Sequence, residues 1–190
     1  MPAANSSPNS AYIALLRGIN VGGHNKIPMA GLHELCTKLG FGDVQTYIQS
    51  GNVVFTARKN ACAVEALLES AILKHFSLAI SVLVRNASIW PDYVAGNPFP
   101  EIANDSPGLL ILCLSKLSPK LDAVAALRER ATDGERIERV GDTIWLHCPN
   151  GFGQSKLSPT FLDRVVGSPV TARNWRTVVK LFEMTNCAKH

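Results

Sequence analysis

Apolar side chains recur along this chain with two periods, and the order in which the periods alternate is repeated once. Residues 11–17 (AYIALLR) are almost wholly apolar and predict a buried strand. Residues 28–39 place Met29, Leu32, Leu35, Cys36 and Leu39 at helical spacing. Pro28 suits the first turn of that helix and Gly40 its stop. Residues 44–49 and 52–57 read as two strands joined by a Ser50-Gly51 turn. Residues 61–76 return to the helical period, with Val64, Leu67, Leu68, Ala71, Ile72 and Phe76 on one face, and 80–85 forms a further strand. The order is βαββαβ. A short helix over 87–95 and a Pro-rich linker over 97–107 follow.

The second half repeats the order. A strand at 109–115 precedes a helix at 119–130, with Ser118 as its cap and Pro119 at its first position. Strands at 135–140 and 143–148 form a hairpin across Gly141-Asp142, and a helix follows over 155–166. A short strand at 169–172 leads to a last helix over 174–183, capped by Asn174, with Trp175, Val178, Val179 and Phe182 facing inward. No repeat of individual residues accompanies this repeat of pattern. The expected fold is α+β: two tandem ferredoxin-like (βαββαβ) domains with antiparallel sheets, helices on one face of each. Their expected extents are 11–96 and 108–190, after a disordered tail over 1–10, and the second carries an extra terminal helix.

Composition narrows the functional classes. The 190 residues carry a formal net charge of +4, mild for a dedicated nucleic-acid binder. Residues 149–190 hold Lys156, Arg164, Arg173, Arg176, Lys180 and Lys189 against Asp163 and Glu183, so this segment accounts for the whole excess. The five cysteines are scattered and odd in number, which predicts reduced thiols in the cytoplasm and neither a disulfide framework nor a zinc site. The amino terminus lacks the pattern of a signal peptide. No apolar stretch approaches the roughly 20 residues of a membrane helix, so no membrane partner is expected.

Candidate chemistry lies in polar blocks that follow the strands. Block 17–26 (RGINVGGHNK) holds Gly, Asn, His, Lys and Arg and no acid. Such a donor-rich loop before a helix suits an anion. Block 49–52 (QSGN) could add amide contacts, and block 151–156 (GFGQSK) is a Gly-rich loop between strand and helix. Neither GxGxxG nor GxxxxGK[ST] is present. Block 171–176 (TARNWR) offers Arg173 for a bidentate contact. The candidate ligand contacts are Arg17, Asn20, His24, Lys26, Asn52, Ser155, Lys156, Arg173 and Asn174. Each block also has a structural reading: glycines and amides for turns, Trp175 for the core, and Arg173 as a lock between domains. His24 has the right chemistry for proton transfer but no evident carboxylate partner. No catalytic residue, cofactor or metal is assigned.

The segments RGINVGGHNKIPM, TYIQSGNVVF, NPFP, GFGQSKLS and TARNWRTVVKL together resemble the signature blocks of the DUF1697 proteins, over residues 12–181. The resemblance implies a bacterial, cytosolic protein with two ferredoxin-like domains. It implies no activity, because the family has no established function. Ser158-Pro159 departs from the usual helix formers at that point and shifts the helix start. In a βαββαβ sheet the exit of strand 1 and the turn between strands 2 and 3 share one end, which brings 17–26 beside 49–52. The exits of strands 3 and 4 share the other end, which brings 151–156 beside 171–175. A cleft where the clusters of the two domains meet is the expected ligand site. Three functions remain open. One is binding of a phosphorylated or otherwise anionic ligand, single-stranded nucleic acid included. Another is a small enzyme on a phosphorylated substrate using His24 or Lys156. The third is a structural role in which the blocks hold the domains together for a protein partner. The oligomeric state is not fixed by the sequence.

Overall fold

A computed structural model describes residues 9–187. Strand β1 (Ser10–Leu16) is buried from Tyr12 onward on both of its faces, so it needs cover on both sides and a neighbour at each edge. α1 (Met29–Lys38), β2 (Gly42–Tyr47), β3 (Asn52–Ala57), α2 (Ala61–Phe76) and β4 (Val82–Asn86) complete the first βαββαβ order. β1 pairs antiparallel with β3 on one side and β4 on the other, and β2 pairs with β3. The strand order is β2-β3-β1-β4. Tyr12, Ala14, Leu16, Val53, Phe55, Val82 and Val84 meet Leu32, Cys36, Val64, Leu68 and Ile72 in one core. Phe55 stacks on Phe41 with ring centroids 4.5 Å apart.

After a 3-10 turn at Ala87–Ile89 come α3 (Trp90–Ala95), α4 (Pro100–Asp105), β5 (Leu110–Ser115), α5 (Ala123–Arg130), β6 (Arg136–Val140) and β7 (Thr143–His147). A 3-10 turn at Phe152–Gln154, α6 (Pro159–Val166), β8 (Val170–Asn174) and α7 (Trp175–Cys187) follow. The second sheet is also antiparallel, in the order β6-β7-β5-β8. Its core joins Ile111, Ile137, Ile144 and Leu146 to Ala123, Leu127, Leu162 and Val166. Trp145, on the opposite face of β7 from Ile144 and Leu146, is also buried, with its ring 5.8 Å from that of Trp175. The chain divides into two compact units. One runs to Trp90 and includes the segment from Glu183; the other is Pro91–Phe182.

Both units protect their sheet edges in the same way. The first helix sends a donor to an outer carbonyl of the second strand: His33 Nε2 to Val44 O at 3.1 Å, and Arg128 Nη2 to Ile137 O at 2.7 Å. The second helix sends a carboxylate to outer N–H groups of the last strand. Glu69 accepts from Val82 at 2.9 Å and Glu65 from Val84 at 3.1 Å; Asp163 accepts from Val170 at 2.8 Å. Capped edges of this kind cannot template pairing with another chain.

Several sequence expectations need correction. The stretch read as a linker over 97–107 contains α4, because Pro100 sits at a helix start, where a missing N–H costs nothing. The helix expected from 119 begins at Ala123: Lys120 N–H is taken by Val166 O, and Ser118 Oγ donates to Asp142. The helix expected from 155 begins at Pro159, where Ser158 accepts from Phe161 N–H as its cap. β2 starts at Gly42, and a register shift between Gly42 and Gln45 accommodates the left-handed backbone of Asp43. β8 extends to Asn174, which caps α7 through Thr177 N–H at 3.0 Å. Of the tail expected over 1–10, residues 1–8 lie outside the described residues, and Ser10 already pairs with Ala57 in the sheet.

The two units share one local device at the ends of their last strands. Arg85-Asn86 and Arg173-Asn174 occupy equivalent ends of β4 and β8. Each arginine donates to the preceding carbonyl, Arg85 to Val84 O at 3.0 Å and Arg173 to Ala172 O at 2.8 Å. Each asparagine caps the turn that follows, through Ser88 N–H and Thr177 N–H. A dipeptide is too short to register against chance, so the alignment of the two sheets was needed to see it.

Candidate anion site

The polar blocks of the first unit do converge, but chiefly upon each other. Asn20, with φ of 55°, donates from Nδ2 to Ile27 O at 3.0 Å and Gln49 O at 2.8 Å. Its Oδ1 accepts from Ile27 N–H at 2.9 Å. Both amide hydrogens are therefore committed. Asn52 is fully buried and donates to Tyr47 O and Ser50 Oγ, closing the hairpin turn from inside. Gly51 carries φ of +75°, and a Cβ there would stand 2.6 Å from Ile19 Cδ1. Only glycine lets Ile19 lie over the turn. Leu16 N–H donates to Gly51 O and Arg17 N–H to Ser81 O, and Arg17 is half-buried.

The tip of block 17–26 is a miniature hairpin. Gly22 and Gly23 both have positive φ, and His24 N–H returns to Val21 O at 3.0 Å. Two consecutive left-handed residues define a turn matched to strand twist, which accounts for the glycine pair without a ligand. His24 and Lys26 are exposed, and neither side chain bonds to another described residue.

In the second unit, block 151–156 turns toward the loop between α5 and β6. Ser155 Oγ donates to Glu135 Oε1 at 2.6 Å and accepts from Leu157 N–H at 3.2 Å. Burial pushes the Glu135 carboxyl up, but the bonds from Ser155 and from Asp133 N–H, with the nearby charge of Lys156, outweigh it and hold the pKa below the ordinary value. Asp133, Glu135, Cys148, Gly151, Gln154 and Ser155 surround a cavity of about 180 Å³ beneath the loop. Arg173 is buried, and burial pushes its pKa down to about 10. It and the capping Asn174 serve β8 and α7.

Lys156 is placed differently. With Ala126, Glu129, Arg130, Thr132 and Phe161 it lines an open groove of about 400 Å³ between α5 and α6. Lys156 Nζ donates to Thr132 Oγ1 at 2.7 Å, and Arg130 Nε donates to Lys156 O at 3.3 Å. Arg130 and Arg164 both lie against the Phe161 ring, at 4.9 and 5.1 Å from its centroid. Exposed contacts of this type contribute about 0.5–1 kcal/mol each, enough to orient the guanidinium groups. None of the three cations forms an ion pair with a described residue. Arg130 and Arg164 were not singled out in the sequence, because neither belongs to a polar block and only the packing of α5 on α6 brings them to one ring. For Arg164 the +4 excess of 149–190 was the available signal; Arg130 lies outside that segment.

Among the described residues no cluster of His, Cys, Asp and Glu is placed to hold a metal ion, and no helix is long and apolar enough to cross a membrane. Cys36, Cys113 and Cys148 are buried free thiols, and burial pushes Cys36 up to about 12.

The frame and its donor-rich loops define an α+β protein of two antiparallel four-stranded sheets. The chain belongs to the DUF1697 family, described as proteins of unknown function, whose model matches residues 10–145. Lys156, Phe161 and Arg164 lie beyond that match. In structure the chain is similar to a conserved bacterial protein from Streptococcus pneumoniae. The TM-score is 0.70 and the identity 25%, over 93% of this chain and 99% of that one. No curated protein matches.

Proposed function

We propose that the protein binds a phosphorylated or otherwise anionic ligand, and that the site is the α5–α6 groove of the second unit. The observation that carries this reading is the placement of Arg130 and Lys156 on the lining of an open groove, with Arg164 on the adjoining Phe161 ring and no ion pair to any of the three among the described residues. Glu129 is the one carboxylate in that lining. Like charges held close repel, and an anion relieves that repulsion. Guanidinium forks suit phosphate oxygens in particular. His24, Lys26 and Arg17 are assigned no part in this site. The frame is taken to be ferredoxin-like in each unit, which the βαββαβ order and the β2-β3-β1-β4 and β6-β7-β5-β8 strand orders support. Free buried cysteines favour a reducing compartment, and the cytoplasm is the proposed location. Thermal unfolding with tripolyphosphate tests the site. At about 100 times its Kd a ligand adds roughly 2.7 kcal/mol. The shift should fall by about half in Arg130→Ala and in Lys156→Ala and be unchanged in His24→Ala; a shift undiminished in both groove substitutions refutes the assignment.

A further inference from the structure

We infer that the ligand of this groove is the sugar-phosphate backbone of a single-stranded nucleic acid, lying along the seam between α5 and α6. The inference rests on the groove being an anion site. The positive charge continues past the groove. Lys120 precedes α5, its N–H donates to Val166 O at 3.3 Å, and its side chain lies across Gly167 at the end of α6. A Cβ on Gly167 would stand 2.7 Å from Lys120 Cε, so glycine is what lets the lysine stem pass there. Lys120 is exposed and has no ion pair among the described residues. α5 has eight residues, a length of about 12 Å. Lys120 stands before one end of it and Arg130 at the other, with Arg164 one turn before Gly167. The acids of the seam are Asp122, the residue before α5, and Glu129, which lines the groove, while Asp163 is turned to Val170 N–H. A stripe of four cations is longer than one phosphate needs.

Two features select the strand. Ala126 and the edge of Phe161 give the groove carbon surface, which a sugar can cover and an inorganic chain cannot. Arg130 and Arg164 already occupy the Phe161 ring, so phosphates and not stacked bases supply most of the contact, and binding is indifferent to sequence.

The test is fluorescence anisotropy of the full chain with a labelled oligothymidylate of about twelve nucleotides, a length typical of single-strand sites, across a salt series. Four phosphate contacts give a slope of log K against log salt of about −2.8, and Lys120→Ala should flatten it by about 0.7. The same substitution should leave tripolyphosphate binding unchanged. Should Lys120→Ala leave the oligomer slope untouched, or should a duplex or long polyphosphate bind as well as the oligomer, the strand assignment is overturned while the anion site stands. Absence of binding by both tripolyphosphate and the oligomer overturns both.

Discussion

The loop over 17–26 and the α5–α6 groove are both rich in donors, yet they use them in opposite ways. In the loop, Asn20 commits both amide hydrogens and its carbonyl oxygen to the backbone of Ile27 and Gln49. Asn52 commits both amide hydrogens beneath the hairpin, to Tyr47 O and Ser50 Oγ. In the groove, Arg130 and Lys156 retain donors that no described residue takes up, as does Arg164 beside it on the Phe161 ring. A conspicuous polar motif can therefore be conspicuous because its backbone is difficult to close, with five positive-φ residues between Gly18 and Asn25. Binding chemistry can meanwhile be assembled from single cations far apart in the chain.

The largest effect should come from Gly51→Val. The new Cβ would meet Ile19 and Leu16 at 2.6–2.9 Å, in a conformation L side chains rarely adopt. A loss of about 3 kcal/mol in urea unfolding is expected; a loss under about 1 kcal/mol would mean that the loop is not locked to the turn. Asn20→Ala removes three hydrogen bonds and should cost about 2 kcal/mol, with tripolyphosphate affinity unchanged. Impaired binding in that variant would erase the distinction between the two regions. Arg130→Ala and Lys156→Ala should behave the other way. Each should weaken tripolyphosphate binding about tenfold, near 1.4 kcal/mol, by calorimetry, while changing stability by less than about 0.5 kcal/mol.

The smallest effect is a pH response confined to one loop. Glu135 has a folded pKa below the unfolded reference of 4.5. Its stabilisation is therefore complete above that reference and is lost as pH falls through the folded value. Asn20 is neutral at every pH. Hydrogen-exchange protection of Asp133 N–H, which Glu135 accepts, should fall as the pH drops through the folded value, below the reference of 4.5. Protection of Ile27 N–H should not. Equal losses at both amides would point to general loosening and not to Glu135.

Much of the frame was legible in the sequence because burial imposes a period on each element. The helix at 61–76 matches α2 residue for residue, and β3 matches at both ends. Boundaries failed where a distant partner takes a local group, as Val166 O does with Lys120 N–H and Asp142 with Ser118. At the site, the polar blocks were visible but their hydrogen-bond partners were not. Asn20 and Ser155 look alike as exposed donors until Gln49, Ile27 and Glu135 are placed around them. The meeting of Arg130 and Arg164 on Phe161 depends on helix packing, which no local spacing encodes.

The most direct measurement is an amide chemical-shift titration of the full chain with tripolyphosphate at low salt. The expected result is perturbation of residues around Arg130, Thr132, Lys156, Phe161 and Arg164, with the amides of Asn20 through Lys26 unmoved. Perturbation of the loop with a silent groove would contradict the assignment and return the ligand to block 17–26.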